Sequence, residues 1–315
     1  MSKIACLSLN SQGTNAQFSV SLTIGVYGVG FVGGATADVL ERAHKVYRYD
    51  AFYNPKKHRE PWNSSGHLEN LAANSEVVFF CLPTPMQLSD EINYTPMYNS
   101  FVDFTKALER VGRSKDEVVG VIRSTAVSGT TDSFAEKYGL RLTFNPEFLR
   151  ERTALEDMKK TSRVVIGSRN HADGEIVERV YKSIFPSAVY HHVGTREAEM
   201  VKYMANGMLA AQVALANEFF DICNAGGIDY NLVKGLVLED SRIGRNLDVP
   251  GPDDDRGFGG KCFPKDLNAL RAWAREQGFN PWLLDSVWRK NLEVRRKHDW
   301  LDILGATSGN IKFDS

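Results

Sequence analysis

The residue best suited to chemistry in this sequence is Cys262, in the segment Phe-Gly-Gly-Lys-Cys-Phe-Pro-Lys-Asp at 258–266. Pro264 fixes φ and lacks an N–H group, which suits the first turn of a helix, so Cys262 is expected just before a helix N-terminus. Unpaired backbone N–H groups there, together with Lys261 and Lys265, favour a thiolate, the form that attacks a carbonyl carbon. The alternative is a free cysteine that merely packs at a helix end.

Polar residues spaced four positions apart indicate partners for this thiol, because residues i and i+4 share one face of a helix. Lys202 and Asn206 stand out because the rest of their predicted helix is apolar. A cation and an amide buried there need partners, which an active-site cleft supplies. Taken alone, the two glutamates at this spacing are more typical of a solvated face. The three pairs are Cys262 with Asp266, Lys202 with Asn206, and Glu147 with Glu151.

A glycine-rich turn far upstream has the context of a dinucleotide-binding site. Gly28, Gly30 and Gly33 follow a predicted strand at 22–27 and open a predicted helix. In that setting the turn lets a pyrophosphate approach the helix N-terminus. Asp50 closes the next predicted strand, where a carboxylate accepts a hydrogen bond from a ribose 2′-hydroxyl and repels a 2′-phosphate. The sequence therefore predicts NAD rather than NADP as the cofactor.

The order of the predicted elements indicates two domains. Predicted strands alternate with helical or polar stretches, as in a doubly wound (Rossmann) parallel sheet of the α/β class. We expect this NAD-binding domain at 1–195, with 1–21 as an extra N-terminal arm. A mainly helical central and dimerisation domain at 196–315 would begin with a long helix, 197–224, whose largely apolar circumference indicates burial between domains and at a homodimer interface. The predicted strands after the glycine turn are 45–49, 77–82, 118–122 and 163–167.

Composition is that of a globular protein with room for two cores, since 43% of the 315 residues are hydrophobic and 24% are charged. A net charge of −1 gives no electrostatic footprint for nucleic acid or for an anionic membrane. The four cysteines have neither disulfide-framework nor zinc spacing, so no metal is expected. Without an apolar stretch of signal-peptide or membrane-span length, the sequence predicts a cytoplasmic protein with reduced thiols.

In this order, the motifs resemble the UDP-glucose/GDP-mannose dehydrogenase family over residues 22–300. Thr125 also follows a predicted strand and so lies at the carboxyl edge of the sheet, where ligands bind in such folds. The motifs that fall where the family has them are Gly28 to Gly33, Pro83-Thr84-Pro85, Ser124-Thr125, Asn145 to Glu151, Lys202 to Asn206, Ser241 to Gly244 and Gly257 to Asp266.

The resemblance implies oxidation of the primary alcohol of a UDP-glucose-like nucleotide sugar to a carboxylate, a reaction of polysaccharide biosynthesis, with two NAD per turnover. Cys262 would trap the aldehyde as a thiohemiacetal, a second hydride transfer would give a thioester, and water would hydrolyse it. Lys202 and Asn206 would stabilise the developing oxyanion. Proton transfers and the positioning of water would fall to Thr125, Glu147, Glu151 and Asp266, with their individual roles left open.

The resemblance also implies two sets of binding residues. Arg242 would reach the substrate across a dimer interface, which makes the homodimer part of the mechanism. NAD would contact Gly28, Gly30, Phe31, Val32, Gly33, Asp50, Pro83, Thr84, Ser124, Thr125 and Glu151. The sugar substrate would contact Phe148, Leu149, Glu151, Lys202, Asn206, Arg242, Phe258 and Gly259.

The sequence departs from the family pattern in three places. The chain ends soon after Trp300, so the family's second Rossmann-like domain, which holds the nucleotide, is expected to be absent. The stretch 50–77 is shorter than usual, and 253–256 (Asp-Asp-Asp-Arg) expands the loop before Phe258. Two other functions therefore stay open. One is a β-hydroxyacid-type dehydrogenase that oxidises in a single step without Cys262, and the other is a non-catalytic NAD-binding dimer module.

Overall fold

The structure is a computed structural model that describes residues 21–51, 65–87, 89–303 and 306–308. The predicted N-terminal arm, 1–21, lies almost wholly outside the described residues. The first part of the chain forms a seven-stranded sheet. Its strands are β1 (Thr23–Tyr27), β2 (Lys45–Tyr49), β3 (Val77–Phe80), β4 (Val119–Ile122), β5 (Arg141–Phe144), β6 (Arg163–Ser168) and β7 (Val189–Val193).

The strand order β2-β1-β3-β4-β5-β6-β7 places β1 beside β3, with β2 outside β1. Neighbouring strands run parallel except for β5 and β6, which are antiparallel. The sequence predicted a doubly wound parallel sheet, and the sheet is mostly parallel; the reversed direction of β6 was not predicted. The chain between β5 and β6 stays at the carboxyl edge of β5 instead of crossing back over the sheet, which keeps residues 145–162 at the edge where ligands bind.

Both faces of the sheet are buried under helices, as predicted for the α/β class. The residues of β3 are inaccessible to solvent and point alternately to the two faces. Val78 and Phe80 pack with α2, α3 and α4, whereas Val77 and Phe79 pack with α1, α5 and α6. These helices are α1 (Phe31–Leu40), α2 (Ser65–Asn74), α3 (Thr95–Arg110), α4 (Thr130–Tyr138), α5 (Ala154–Lys159) and α6 (His171–Lys182).

The predicted long helix is present as α7 (Thr195–Ala225) and connects the sheet to the helices that follow. Near its start, α7 packs against β6, where a Cβ atom on Gly167 would lie 2.5 Å from the Cβ atom of Ala198. Its later turns pack against α9 and α10 through Ala210 and Ala214. The later helices are α8 (Tyr230–Val237), α9 (Phe263–Glu276) and α10 (Trp282–Val294).

The close approach of β6 and α7 predicts that Gly167→Ala is destabilising. The added methyl group overlaps Ala198 and the backbone of Thr195, and relieving this overlap costs about 1–3 kcal/mol of unfolding free energy. The matched control is Gly235→Ala on the exposed surface of α8, where an added Cβ atom meets nothing within 4 Å and helix propensity favours alanine by about 0.5–1 kcal/mol. Urea denaturation would measure both changes, and equal midpoints for Gly167→Ala and the wild type would contradict the packing argument.

Candidate active site

Cys262 occupies the N-cap of α9, as the sequence predicted, and the next turn of the helix holds Asp266, whose N–H donates to the Cys262 carbonyl at 2.8 Å. Burial and the nearby Asp266 carboxylate raise the pKa of the Cys262 thiol to about 11, while Lys202 and Lys265 oppose the rise. The expectation of a thiolate is therefore wrong for this state of the protein. Cys262 is half-buried at the helix end, and the negative charge of Asp266 beside the sulfur offsets the lysines.

Lys202 enters the same cluster from α7. Its ammonium group is buried and donates to Glu147 twice, at 2.8 Å to Oε1 and at 2.7 Å to the backbone carbonyl. Burial by itself would lower the pKa of Lys202, but Glu147 and Asp266 raise it above its ordinary value. The lysine therefore stays protonated at neutral pH and supplies a fixed positive charge close to Cys262.

Asn206 and Asp266 are hydrogen-bonded to each other in the same cluster. One amide N–H of Asn206 donates to Oδ2 of Asp266, and the Lys265 ammonium group contacts Oδ1 of the same carboxylate. Both Asn206 and Asp266 are buried. Helical spacing on α7 and α9 correctly predicted that Lys202 and Asn206, and Cys262 and Asp266, approach one site.

The spacing argument was wrong for the two glutamates. Residues 145–150 are not helical, so Glu147 and Glu151 do not share a helix face. Glu147 is buried against Lys202, whereas Glu151 is exposed at the start of a 3₁₀ turn and lies 3.3 Å from the Lys261 ammonium group. Pro146 lies inside the segment and limits helical conformation in the residue before it.

The glycine-rich turn has the shape that a dinucleotide requires. Gly28 has φ +91°, and a Cβ atom on Gly33 would lie 1.8 Å from the Gly28 carbonyl oxygen, so neither position accepts a side chain. At Gly30, by contrast, a Cβ atom would meet nothing within 4 Å, which leaves open space at the N-terminus of α1. The Val29 N–H donates to Asp50 Oδ2 at 2.7 Å, which places the ribose-binding candidate beside this space. These residues fit a bound NAD.

The other predicted cofactor residues line the same carboxyl edge. Ser124 Oγ accepts a hydrogen bond from the Leu82 N–H at 2.7 Å and so joins the segments that follow β3 and β4. Pro83 is exposed and Thr84 is buried in the first segment, while Thr125 is half-buried in the second. Phe31 and Val32, in the first turn of α1, are also half-buried.

The predicted substrate residues occupy less uniform positions. The Phe148 ring lies between the Lys202 ammonium group at 5.8 Å and the Arg163 guanidinium at 4.4 Å, and Leu149 donates its N–H to Glu147 Oε2 at 2.7 Å. The other predicted substrate residues differ in how far they are buried. Phe258 is buried, Gly259 is half-buried, and Arg242 is exposed with its guanidinium on Asp240 of the same loop.

The sequence reasoning missed Glu199, a fully buried carboxylate on α7. It accepts hydrogen bonds from the N–H groups of Gly129 and Thr131, at 2.6 and 2.7 Å, and thereby holds the start of α4 and the loop that contains Thr125. Burial raises the pKa of Glu199 to about 7. One signal could have found it, because Glu199 lies one helical turn before Lys202 on a helix that is otherwise largely apolar.

Two features are absent from residues 21–51, 65–87, 89–303 and 306–308. Within this part of the chain, none of the helices combines the length and apolar character needed to cross a membrane. Across the same residues, no His, Cys, Asp and Glu side chains group in a way that could hold a metal ion.

The fold and the site together define a dinucleotide-binding sheet protein with a cysteine-containing polar cluster on its central helices. Residues 49–185 match the NAD binding domain of the UDP-glucose/GDP-mannose dehydrogenase family, and residues 196–293 match the central domain of that family. The chain belongs to this family.

Relatives and solved structures agree with this assignment. The UDP-glucose 6-dehydrogenase AglM of Haloferax volcanii is 34% identical over 228 residues, covering 68% of this chain and 51% of the relative. TuaD of Bacillus subtilis, also a UDP-glucose 6-dehydrogenase, is 32% identical over 248 residues, covering 76% and 50% respectively. A UDP-glucose dehydrogenase structure from Pyrobaculum islandicum superposes with a TM-score of 0.75 at 28% identity, over 91% of this chain and 70% of that one. The chain thus spans about half the length of these curated relatives.

The raised pKa of Cys262 predicts an unusual alkylation profile. Iodoacetamide should modify Cys262 at a rate that rises about tenfold per pH unit from pH 7 to 10, because the thiolate fraction grows without saturating below a pKa of about 11. In urea the same thiol should level off near pH 9, as expected for an ordinary cysteine pKa of about 8.5. Mass spectrometry of the peptide that contains Cys262 would follow the rate. A plateau below pH 8 in the folded protein would mean that Cys262 is a thiolate after all.

Proposed function

We propose that this chain provides the NAD-binding and catalytic part of a nucleotide-sugar dehydrogenase that oxidises a primary alcohol to a carboxylate through Cys262. The observation that carries the proposal is the buried cluster in which Cys262 from α9 meets Lys202 from α7 and Glu147 from the loop after β5. The family's NAD binding and central domains both contribute to this cluster, with a family match on each side of the 195/196 boundary. These two separate matches favour division of the chain into an NAD-binding domain at 1–195 and a central domain at 196–315.

The cofactor would lie along the carboxyl edge of the sheet. Its pyrophosphate fits the open space at Gly30, and the adenosine ribose fits beside Asp50. The segments containing Thr84 and Ser124 would flank the nicotinamide half. Bound NAD⁺ would accept a hydride from the substrate, and each catalytic cycle consumes two NAD⁺ in succession.

The first oxidation removes a hydride and a proton from the primary alcohol and leaves an aldehyde. The Cys262 sulfur then adds to the aldehyde carbon, the thiol proton passes to the aldehyde oxygen, and a thiohemiacetal forms. A thiol with a pKa of about 11 in the free protein suits this order of events, because it stays unreactive until a carbonyl group lies beside it. Lys202, whose charge acts on the sulfur, and Asn206, which donates to Asp266 in the same cluster, are the candidates for stabilising negative charge on that oxygen.

The second oxidation removes a hydride from the thiohemiacetal carbon and a proton from its oxygen, which gives a thioester on Cys262. Water then attacks the thioester carbonyl, the C–S bond breaks, and the carboxylate leaves as the thiol is restored. Asp266, Glu147, Glu151 and Thr125 are the candidates for the proton transfers and for positioning the water. Glu147 and Asp266 already hold buried donors in this cluster, which favours them for holding groups in place.

The sugar substrate is proposed to lie between the loop after β5 and the segment before Cys262. Phe148, Leu149 and Glu151 would contact it from one side, and Phe258 and Gly259 from the other. UDP-glucose is the leading candidate because the named relatives act on it. The sugar can nevertheless differ, since 253–256 lengthens the segment before Cys262. We place the reaction in the cytoplasm, where the free thiols Cys81, Cys223 and Cys262 would stay reduced.

The proposal is tested by counting NADH formed per molecule of UDP-glucose, or of another UDP- or GDP-sugar, consumed. Two NADH per substrate are expected, because both oxidations occur on one enzyme. Cys262→Ser should lower the rate about 10³-fold or more, as loss of a covalent nucleophile does. Cys223→Ser removes a buried thiol on α7, away from the cluster, and should keep the wild-type rate of NADH formation.

Other stoichiometries would contradict the two-step route. One NADH per substrate with an active Cys262→Ser variant would identify a single-step dehydrogenase of the β-hydroxyacid type. Measurable NAD binding with no turnover of any of these sugars would identify a non-catalytic module.

The chain is also proposed to act as a homodimer through α7 and α8. One face of α7 presents a row of exposed apolar side chains at helical spacing, and α8 carries two more exposed apolar side chains, Leu232 and Leu236. A dimer across this surface would bury the row and bring the exposed Arg242 of one chain towards the cluster of the other. The row consists of Met204, Met208, Leu215, Phe219 and Ile222.

Leu215→Lys should weaken such a dimer at least about tenfold, because it places a charge in the centre of the buried row. Light scattering over a concentration series would give the dissociation constant. Leu283→Lys, at another exposed apolar position, on α10, is the matched control and should leave the constant unchanged. Equal effects of the two variants would exclude the α7 face as the interface.

A further inference from the structure

The segment 253–256, where the sequence departs from the family pattern, is anchored firmly in the structure. Asp255 is buried and accepts hydrogen bonds from the N–H groups of Arg256 at 2.8 Å and Lys297 at 2.8 Å. Burial alone would raise the pKa of Asp255, but these N–H donors keep it below its ordinary value. Arg256 extends to α7, where its guanidinium binds Asp221 at 2.6 Å. The segment therefore connects the chain after α10 to α7.

Arg295, at the end of α10, is the centre of this arrangement. Its side chain is almost fully buried and binds Asp253 at 2.7 Å and Asp299 at 3.2 Å through the same nitrogen, Nη2. Its Nη1 group also donates to the Arg256 carbonyl at 3.3 Å. A buried guanidinium with this many partners has a fixed position, because leaving any donor unpaired there is costly.

Asp299 links Arg295 to the backbone turn before Cys262. Both of its carboxylate oxygens accept from the Gly260 N–H, at 3.1 and 3.2 Å. Gly259 lies directly over the pair, since a Cβ atom there would be 2.1 Å from Arg295 Nη2 and 2.2 Å from Asp299 Oδ1. Gly260 has φ +74°, so the chain turns sharply two residues before the thiol.

We infer that the Arg295–Asp299 pair is a positioning device that holds the Gly259–Gly260 turn and thereby keeps the half-buried Cys262 thiol in place beside Lys202. The inference rests on the proposed function only for its effect on turnover. The segment 253–256 supports the pair from behind through Asp253 and the Arg256 carbonyl. Asp299 does not touch the reacting atoms, and its influence passes through the backbone of residues 259–262.

The test uses the full chain with Asp299→Ala and Asp299→Asn, and measures iodoacetamide modification of Cys262 without substrate. Loss of the carboxylate frees the turn and exposes the thiol, so Asp299→Ala should be modified about tenfold faster at pH 7.5, as a fall of one pKa unit would produce. Turnover should fall about tenfold in the same variant, with the KM for NAD unchanged. Asparagine keeps one acceptor oxygen for Gly260 and should restore most of both values.

Asp302→Asn is the matched control, because Asp302 is exposed and lies one turn further along the chain. It should change neither rate. Faster alkylation with slower turnover is a combination that simple loss of stability does not produce in a protein that remains folded at the assay temperature. If Asp299→Ala melts earlier but keeps wild-type alkylation and kcat, the pair is merely structural and the inference is overturned.

The alkylation result is independent of the proposed reaction. If no sugar is oxidised, the position of the thiol is still measured, and the inference stands or falls on the Asp299 variants alone. If Asp299→Ala does not fold, Arg295→Lys replaces it. Lysine keeps a positive charge near Asp299 but not the planar fork that binds Asp253, Asp299 and the Arg256 carbonyl together, so Arg295→Lys should be alkylated faster than both the wild type and Asp299→Asn. A wild-type alkylation rate in Arg295→Lys would overturn the inference.

Discussion

The buried ion pair between Lys202 and Glu147 is the interaction on which the rest of the site depends. It joins α7 to the loop after β5 with two hydrogen bonds from one ammonium group. Both side chains are almost completely removed from water, so separating them would leave an uncompensated charge at a cost of about 3–5 kcal/mol. The pair therefore holds this turn of α7, which carries Lys202 and Asn206, against the carboxyl edge of the sheet.

The charges around Cys262 nearly balance. Two positive charges, Lys202 and Lys265, are opposed by two negative charges, Glu147 and Asp266. With no net positive field, burial dominates and the resting thiol stays protonated. A reactive thiolate held permanently at this position would be open to oxidation and alkylation. In the proposed reaction, coupling its deprotonation to the presence of a carbonyl group would avoid that exposure, and it would make the exact position of the sulfur more important than its intrinsic reactivity.

Position is set by close backbone approaches as much as by charge. Gly167 allows α7 to lie against β6, and Gly33 allows α1 to start directly at the turn after β1. Gly259 allows Arg295 and Asp299 to reach the main chain before Cys262. At each of these places a single methyl group would overlap a neighbour, so the spacing between elements is defined within fractions of an ångström.

Local patterns in the sequence predicted much of the fold and part of the site. The glycine turn, Asp50 and the apolar strands follow from short-range rules, and so do the helical pairs on α7 and α9. The glutamate pair failed because the segment 145–150 contains Pro146 and is not helical. The reversal of β6 was missed because apolar strands buried on both faces look the same in either direction.

The sequence by itself therefore determined the class of fold, the glycine turn proposed for the dinucleotide and the helix-end position of Cys262, the proposed nucleophile, because each of these depends on residues close together in the chain. Only the tertiary structure decided which charges surround Cys262 and whether its thiol is ionised. It also decided that Glu199 holds the Thr125 loop and that Asp299 holds the Gly260 turn. The Glu199 and Asp299 contacts join residues 39 or more positions apart, and burial sets their strength, which no local pattern of residue types encodes.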